Sequence, residues 1–399
     1  MNSTTVRSTT TAGLALGTLL LTAGCVANSP AAGPGDDTGA GTVTVSSTAE
    51  GCELSATEAP SGSLVFSVTN DGEEATEFYL LAEDGERIVG EVENIGPGLT
   101  RDLVVTAAPG RYVTACKPGM TGEGIRADFT VTDSGADVAP TGALGDQLDA
   151  AVHNYAEYVE DESSELLAGT EEFVAAYTAG DDAAARELYA PTRAHWERME
   201  PVAESFGDLD PRMDLREADL AEGQEWTGWH LLEKDLWPPK DEKYTPLTGA
   251  ERTKYADLLL ADTQELHDRT HAADFEDTID AASIGNGAKE LLDEVATGKI
   301  TGEEEIWSHT DLVDFQANVD GARVAYESLR DVVVAKDDEL ADELDERFDA
   351  LQDELDAHRD GKDGFVSYTD LTDDQVRTLS VAVDALSEPL SRLTATVVL

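Results

Sequence analysis

The sequence predicts a β-sandwich followed by an all-α bundle, and three observations carry that prediction. The apolar period is two from Thr42 to Thr132, and it becomes helical beyond Leu144 and stays so. Residues 133–143 (Asp-Ser-Gly-Ala-Asp-Val-Ala-Pro-Thr-Gly-Ala) separate the two regimes and read as a linker. At 399 residues the chain is long enough for two domains once a leader is removed.

Residues 1–25 read as that leader. Arg7 is the only cation of a weak basic region, and the apolar run Ala12–Leu21 is too short to span a bilayer, which makes it a processed export signal. Leu21-Thr-Ala-Gly-Cys25 resembles a bacterial lipobox, with the leucine one place further from the cysteine than is usual. That resemblance implies lipidation of Cys25 and anchoring at the extracytoplasmic face of the cell membrane. Residues 26–41, rich in Gly, Pro and Ala, form a flexible tether.

Over 42–132 the segments Thr42–Ser46, Gly62–Thr69, Asp102–Thr106, Gly110–Cys116 and Ala127–Thr132 alternate as strands. Turn signals at Asn70-Asp-Gly, Pro97-Gly and Pro109-Gly divide them, as in a sandwich. From 144 to 399, three- and four-residue spacing predicts helices over 146–178, 182–205, 214–237, 249–273, 277–297, 308–335, 338–359 and 373–397. Thr248-Gly-Ala-Glu251 is a capping box, and Thr301-Gly-Glu-Glu304 is a similar arrangement. Long helices with short connections argue for an antiparallel bundle.

The formal net charge is −56, from 83 acids against 27 bases. A chain so acidic has no surface for a polyanion, which excludes nucleic acid as a partner. The same surplus makes an acidic cluster weak evidence for a metal site, since such clusters arise by chance on an acidic surface. Three cysteines are present; with Cys25 set aside for a thioether, Cys52 and Cys116 remain, an even pair in an exported protein that reads first as a disulfide.

The stretch with most chemical content is Trp226-Thr-Gly-Trp-His230-Leu-Leu-Glu233-Lys-Asp-Leu-Trp237. On a helix, His230 and Glu233 share a face, and an imidazole and a carboxylate there can converge on one ion. Trp226 and Trp237 fall on the same stripe, while Trp229, Leu232 and Leu236 take an adjoining face suited to a core. A satisfied His–Glu pair in a helix interface fits the local pattern equally well.

The longer context adds a family. Gly228-Trp-His230-Leu-Leu-Glu233 resembles the G-x-H-x-x-E motif of the imelysin-like proteins. Glu197–Glu204, Asp208–Asp214, Leu291–Glu305 and Ser308–Asn318 resemble further blocks of that family, in order, from about Leu144 to the C-terminus. The resemblance implies a metal site in which His230 and Glu233 are joined by Glu200, Asp214 and Glu294. Such an oxygen-rich set with one imidazole suits ferrous or ferric iron and tolerates copper or zinc. His195 is a spare candidate expected on another helical face.

The sandwich in front resembles a cupredoxin. Blue copper needs two histidines, and 42–132 holds none, so electron transfer of that kind is excluded. What remains is Cys52, Cys116 and Met120 with the carboxylates Glu77 and Glu91. In combination the two halves are similar to the extracytoplasmic iron-binding components of bacterial iron-uptake systems, and that similarity implies a metal role for Cys52, Glu77 and Cys116. A disulfide between the cysteines and a metal on their thiolates exclude each other. The similarity also implies, as partners, an iron permease and a haem peroxidase. Three functions compete: non-enzymatic capture of iron for a permease, an imelysin-like metallopeptidase, and a cation-dependent polysaccharide- or envelope-binding lipoprotein. Zinc peptidases on a helix use H-E-x-x-H; here the motif has one histidine and no acid beside it.

Overall fold

The computed structural model describes residues 41–85, 87–120, 122, 124–135, 141–221, 223–240, 244–361 and 364–399. The expected leader 1–25, its Cys25 and nearly all of the tether lie outside the described residues.

The N-terminal part is a two-sheet sandwich. One sheet has the order β2-β1-β4-β7, from β1 (Gly41–Thr48), β2 (Gly51–Leu54), β4 (Gly62–Asn70) and β7 (Thr100–Ala107). The other has the order β3-β9-β8-β5-β6, from β3 (Glu58–Pro60), β5 (Thr76–Leu81), β6 (Ile88–Ile95), β8 (Gly110–Pro118) and β9 (Ile125–Thr132). β1 runs parallel to β4 and β3 parallel to β9, while the remaining pairs are antiparallel. Phe66 packs against Phe78 and Phe129, with ring centroids 5.2 and 5.3 Å apart, at the centre of the layer between the sheets. β5 escapes the period-two signal because both of its faces are buried, so its residues do not alternate between polar and apolar.

The helices follow as α1 (Ala143–Ala179), α2 (Asp182–Met199), α3 (Leu209–Met213), α4 (Trp229–Leu236), α5 (Gly249–Thr270), α6 (Ala281–Thr297), α7 (Asp311–Lys336), α8 (Asp338–Asp356), α9 (Asp373–Leu390) and α10 (Leu393–Val398). A two-residue hairpin, β10 (Arg359–Asp360) with β11 (Gly364–Phe365), precedes α9. α1 packs on α2 and α5, α2 on α7, and α7 on α6. Both halves of the Thr248–Glu251 capping box form at the start of α5.

Three expected elements differ, and one is 373–397, which forms two helices, α9 and α10, with a turn at Ser391–Arg392 between them. Residues 214–237 are not one helix: only α4 is α-helical, and Trp226 lies before it rather than on its stripe. The cause is Gly228, whose φ of 86° breaks the helical path one residue before α4 begins. No helix starts at Thr301 either. Its hydroxyl donates to the Gly298 carbonyl, Gly302 turns the chain at φ 75°, and residues 303–310 form a loop.

The sandwich rests on α6 and the C-terminus. Asn286 Nδ2 donates to the Val104 carbonyl at 2.9 Å, Arg101 pairs with Asp293 at 2.8 Å, and Ser63 Oγ donates to the Val398 carbonyl at 3.2 Å. Between the outer face of β5–β6–β8 and the helices lies a cleft of about 640 Å³. No helix among the described residues is long and apolar enough to cross a membrane.

Candidate metal centre

α4 is short, and every residue from Trp229 to Lys234 is buried. Trp229, Leu232 and Leu236 join the main core, as their spacing predicts, with Trp229 against Phe173 and Tyr189. The other face presents His230 (1 % exposed) and Glu233 (0 %) to a buried polar cluster.

Asp214 reaches that cluster because the chain before α4 is tied to the segment 212–215. Trp226 Nε1 donates to the Leu215 carbonyl at 2.7 Å, and Thr227 Oγ1 to the Arg212 carbonyl at 2.7 Å. At Gly228 any Cβ would run into the Met213 carbonyl oxygen, so only glycine permits this approach. Trp196 Nε1 donates to Asp214 Oδ2 at 3.0 Å and fixes the carboxylate. The result places Asp214 Oδ1 3.5 Å from His230 Nε2.

The loop 303–310 supplies Glu304 and Glu305. Glu304 Oε1 lies 3.5 Å from His230 Nε2 and Glu305 Oε1 lies 4.0 Å from Nδ1. The backbone amides of Trp307 and Ser308 donate to Glu233 Oε1 at 3.0 and 2.6 Å, so the same loop clamps the motif glutamate. Its other oxygen lies 3.6 Å from His230 Nδ1. Two ligand groups result, Asp214–His230–Glu304 and His230–Glu233–Glu305, which share the imidazole. Among the described residues neither ring nitrogen has a hydrogen-bond partner, nor do Glu233 Oε2, Asp311 Oδ2 and Asp314 Oδ1. Buried polar atoms left this way are costly unless a further partner satisfies them, and an imidazole amid carboxylates is a donor set that fits a hard or borderline cation.

Two internal cations sit inside the cluster. Arg193, fully buried on α2, pairs with Glu197 and Asp214, with Glu305 at 2.8 Å, with Asp314 at 3.4 Å and with Glu304 at 3.5 Å. Lys299 Nζ binds Glu197 at 2.9 Å and both oxygens of Glu200 at 2.8 Å. The carboxylates Glu197, Glu200, Asp214, Glu233, Glu304, Glu305 and Asp314 still outnumber Arg193, Lys299 and His230. The electrostatics record the surplus. Burial pushes Asp314 up to about 8, and burial with Glu233 and Asp314 pushes Glu305 well up. Burial and Arg193 oppose a charged His230, yet Glu233, Glu304 and Asp214 raise it to about 9. Against burial, Lys299 and Arg193 hold Glu197 down at about 2.

Of the residues expected here, His230, Glu233 and Asp214 come together. Glu200 and Glu294 lie outside both ligand groups: Glu200 is taken by Lys299, and Glu294 lines the cleft beside it. His195 pairs with Glu162 at 2.7 Å, away from the cluster. Glu304, Glu305, Asp314, Arg193 and Lys299 were not singled out by the sequence. One signal was present, since Arg193 falls on the buried stripe of α2 with Ala185, Tyr189 and Trp196.

The sandwich offers no thiolate site. Cys52 on β2 and Cys116 on β8 form a disulfide that joins the two sheets. Cys116 pairs with Phe78 across the strands and packs in the interior, whereas Glu77, the next residue on β5, points to the opposite face. There Glu77 accepts from Tyr79 Oη at 2.8 Å and lies 3.8 Å from Lys117 Nζ. The expected trio Cys52, Glu77 and Cys116 therefore cannot share an ion. Met120 lines the cleft with Tyr79, Glu91 and Lys117.

Comparison with known proteins agrees with this architecture. The family model described as imelysin (peptidase M75) matches residues 151–393. The "Iron uptake system component EfeO" of Yersinia pestis is 37% identical over 345 residues, which is 86% of this chain and 87% of that protein. An "Efem/EfeO family lipoprotein" of Staphylococcus haemolyticus is 43% identical over 249 residues, covering 62% of this chain and 83% of the relative. Its counterpart in Staphylococcus aureus is 40% identical over 250 residues, covering 62% and 84%.

Proposed function

Because the chain belongs to the imelysin family and, over most of its length, to the EfeO group within it, we propose that it captures iron outside the membrane and passes it to a permease. The observation that carries this reading is the buried surplus of carboxylates around the single imidazole of His230, beside an acidic cleft. Asp214, Glu304 and Glu294 line that cleft, which gives an ion a polar route inward. An oxygen-rich set with one nitrogen favours iron over softer ions, and copper or zinc fit the same set less selectively. In this reading cleavage before Cys25 removes the leader, Cys25 becomes the lipid-bearing mature N-terminus, 26–41 hold the protein off the membrane, and 42–132 and 144–399 are the two domains. A permease and a haem peroxidase are the partners.

A peptidase draws less support. Helical zinc peptidases pair two imidazoles with an adjacent general base, and both groups around His230 rest on that one imidazole. Elemental analysis of full-length protein matured in an oxidising compartment tests the proposal. Retention of iron, lost on Asp214→Asn with Glu304→Gln, is expected; protein that holds no iron when supplied with it contradicts capture.

A further inference from the structure

The cluster around His230 is assembled from two parts that are held differently. His230 and Glu233 stand on α4, which packs into the main core through Trp229, Leu232 and Leu236. Asp214 is fixed by Arg193 and by Trp196 Nε1. Glu304 and Glu305 come instead from the loop 303–310, and each of the two ligand groups contains one of them. Withdrawal of the loop would leave both groups incomplete.

Both ends of that loop carry left-handed backbone. Gly302 has φ 75°, and His309 has φ 61°, a conformation that residues with side chains seldom adopt. Such terminal positions absorb the dihedral change when a lid swings. Between them the outward residues are lightly packed: Ile306 is 50 % exposed, and Trp307 is half-buried against Trp226, with ring centroids 5.8 Å apart. Lys234 Nζ lies 5.0 Å from the Trp307 ring and 5.7 Å from the Trp226 ring. The inner side is held by polar contacts, from the Trp307 and Ser308 amides to Glu233, from the Glu305 amide to Asp311 Oδ1 at 3.1 Å, and from Arg193 to Glu305.

Charge works against this closed position. The other acids of the cluster, Glu197, Glu200, Asp214, Glu233 and Asp314, already outnumber Arg193, Lys299 and His230. The loop adds two more carboxylates, and their repulsion opposes closure until a cation sits among them. Sparse apolar packing and an electrostatic cost together make a segment that opens ahead of the core.

We propose that loop 303–310 is a gate that the captured ion closes, and that its swing about Gly302 and His309 carries Glu304 and Glu305 away and releases the ion. The proposal rests on the capture reading above and supplies its release step. The ion favours the closed loop because two of its carboxylates are in place only there. Trp307 on Trp226 is the latch. Glu303 and Glu304 line the cleft, so the moving segment is also part of the cleft wall through which the ion leaves.

Zinc release from full-length protein into excess chelator, followed by stopped flow, tests the latch. Trp307→Ala should bind as many zinc ions as the wild-type chain and release them about tenfold faster, the scale of one lost aromatic pair. Trp307→Phe should recover most of the difference. Hydrogen exchange of the metal-free wild-type chain tests the gate without any variant. The Trp307 and Ser308 amides should exchange about 100-fold faster than the amides inside α4, and zinc should close most of that gap. Equal protection of loop and α4 in the metal-free chain, or release at the wild-type rate from Trp307→Ala, overturns the gate and leaves capture standing. A wild-type chain that takes up neither zinc nor iron overturns capture and the release step with it.

Discussion

Lys299 Nζ lies 2.8 Å from each oxygen of Glu200, and this pair removes from the His230 cluster a carboxylate that family resemblance had placed within it. Lys299 is 3 % exposed and also serves Glu197, with Asn318 Nδ2 donating to both glutamates. The ammonium thus acts as a built-in cation beside the site proposed for a diffusible one.

Lys299→Met should therefore destabilise the protein by about 3–5 kcal/mol, the usual cost of leaving a buried charge without its partner. Millimolar calcium should recover part of that loss by neutralising Glu197 and Glu200. Urea unfolding with and without calcium checks this; a loss below about 1 kcal/mol, the range of exposed pairs, would show that water already screens the two glutamates.

Gly228→Ala should cost about 1–3 kcal/mol through the left-handed φ it imposes on alanine and should displace the segment bearing Asp214. Metal affinity should fall together with stability, because the Met213 carbonyl occupies the space a Cβ needs. Calorimetric unfolding and metal titration of the same variant check the pair of effects. Normal affinity in a destabilised variant would mean that Asp214 holds its place without Gly228.

The motif helix was legible in the sequence because its two faces differ in kind: Trp229, Leu232 and Leu236 against His230 and Glu233. Its start was not, since a helical period extends across Gly228 and only the positive φ ends it. Glu304 and Glu305 stayed hidden for another reason. They sit on a loop, where no period marks a buried position, and among 83 acids neither stands out. In the sandwich, the five expected segments correspond to β1, β4, β7, β8 and β9. The resemblance groups Glu77 with the cysteines, but strand alternation on β5 sends Glu77 and Phe78, the cross-strand neighbour of Cys116, to opposite faces.

Metal-free protein should lose stability as pH rises from about 6 to about 9. His230, raised to about 9 in the fold against about 6.5 unfolded, contributes stability that is complete below 6.5 and lost as pH passes 9. Asp314, raised to about 8 in the fold against about 3.9 unfolded, favours the fold while protonated and loses that contribution as pH rises from about 4 to about 8. Both terms have the same sign. A bound cation should flatten the profile by replacing the lost protons. Thermal midpoints of metal-free and zinc-loaded protein across this range provide the check; a metal-free midpoint that rises with pH contradicts the charge surplus.

Reduction of the Cys52–Cys116 bridge should destabilise the sandwich by about 2–4 kcal/mol, because a link spanning 64 residues no longer restrains the unfolded chain. Thiol reagent should modify these cysteines only after reduction. Iron stoichiometry should not change, since the proposed site draws no ligand from the pair. Loss of iron on mild reduction, with the helices intact, would return the cysteines to the metal question.

The most direct measurement is an anaerobic ferrous-iron titration of metal-free full-length protein beside its His230→Ala variant, with far-UV spectra of both. The wild-type chain should bind iron with release of at least one proton, because the ion must displace one from His230. The variant should keep its helical spectrum and lose most of that affinity. Unchanged stoichiometry and affinity in His230→Ala would place the iron elsewhere and contradict the assignment.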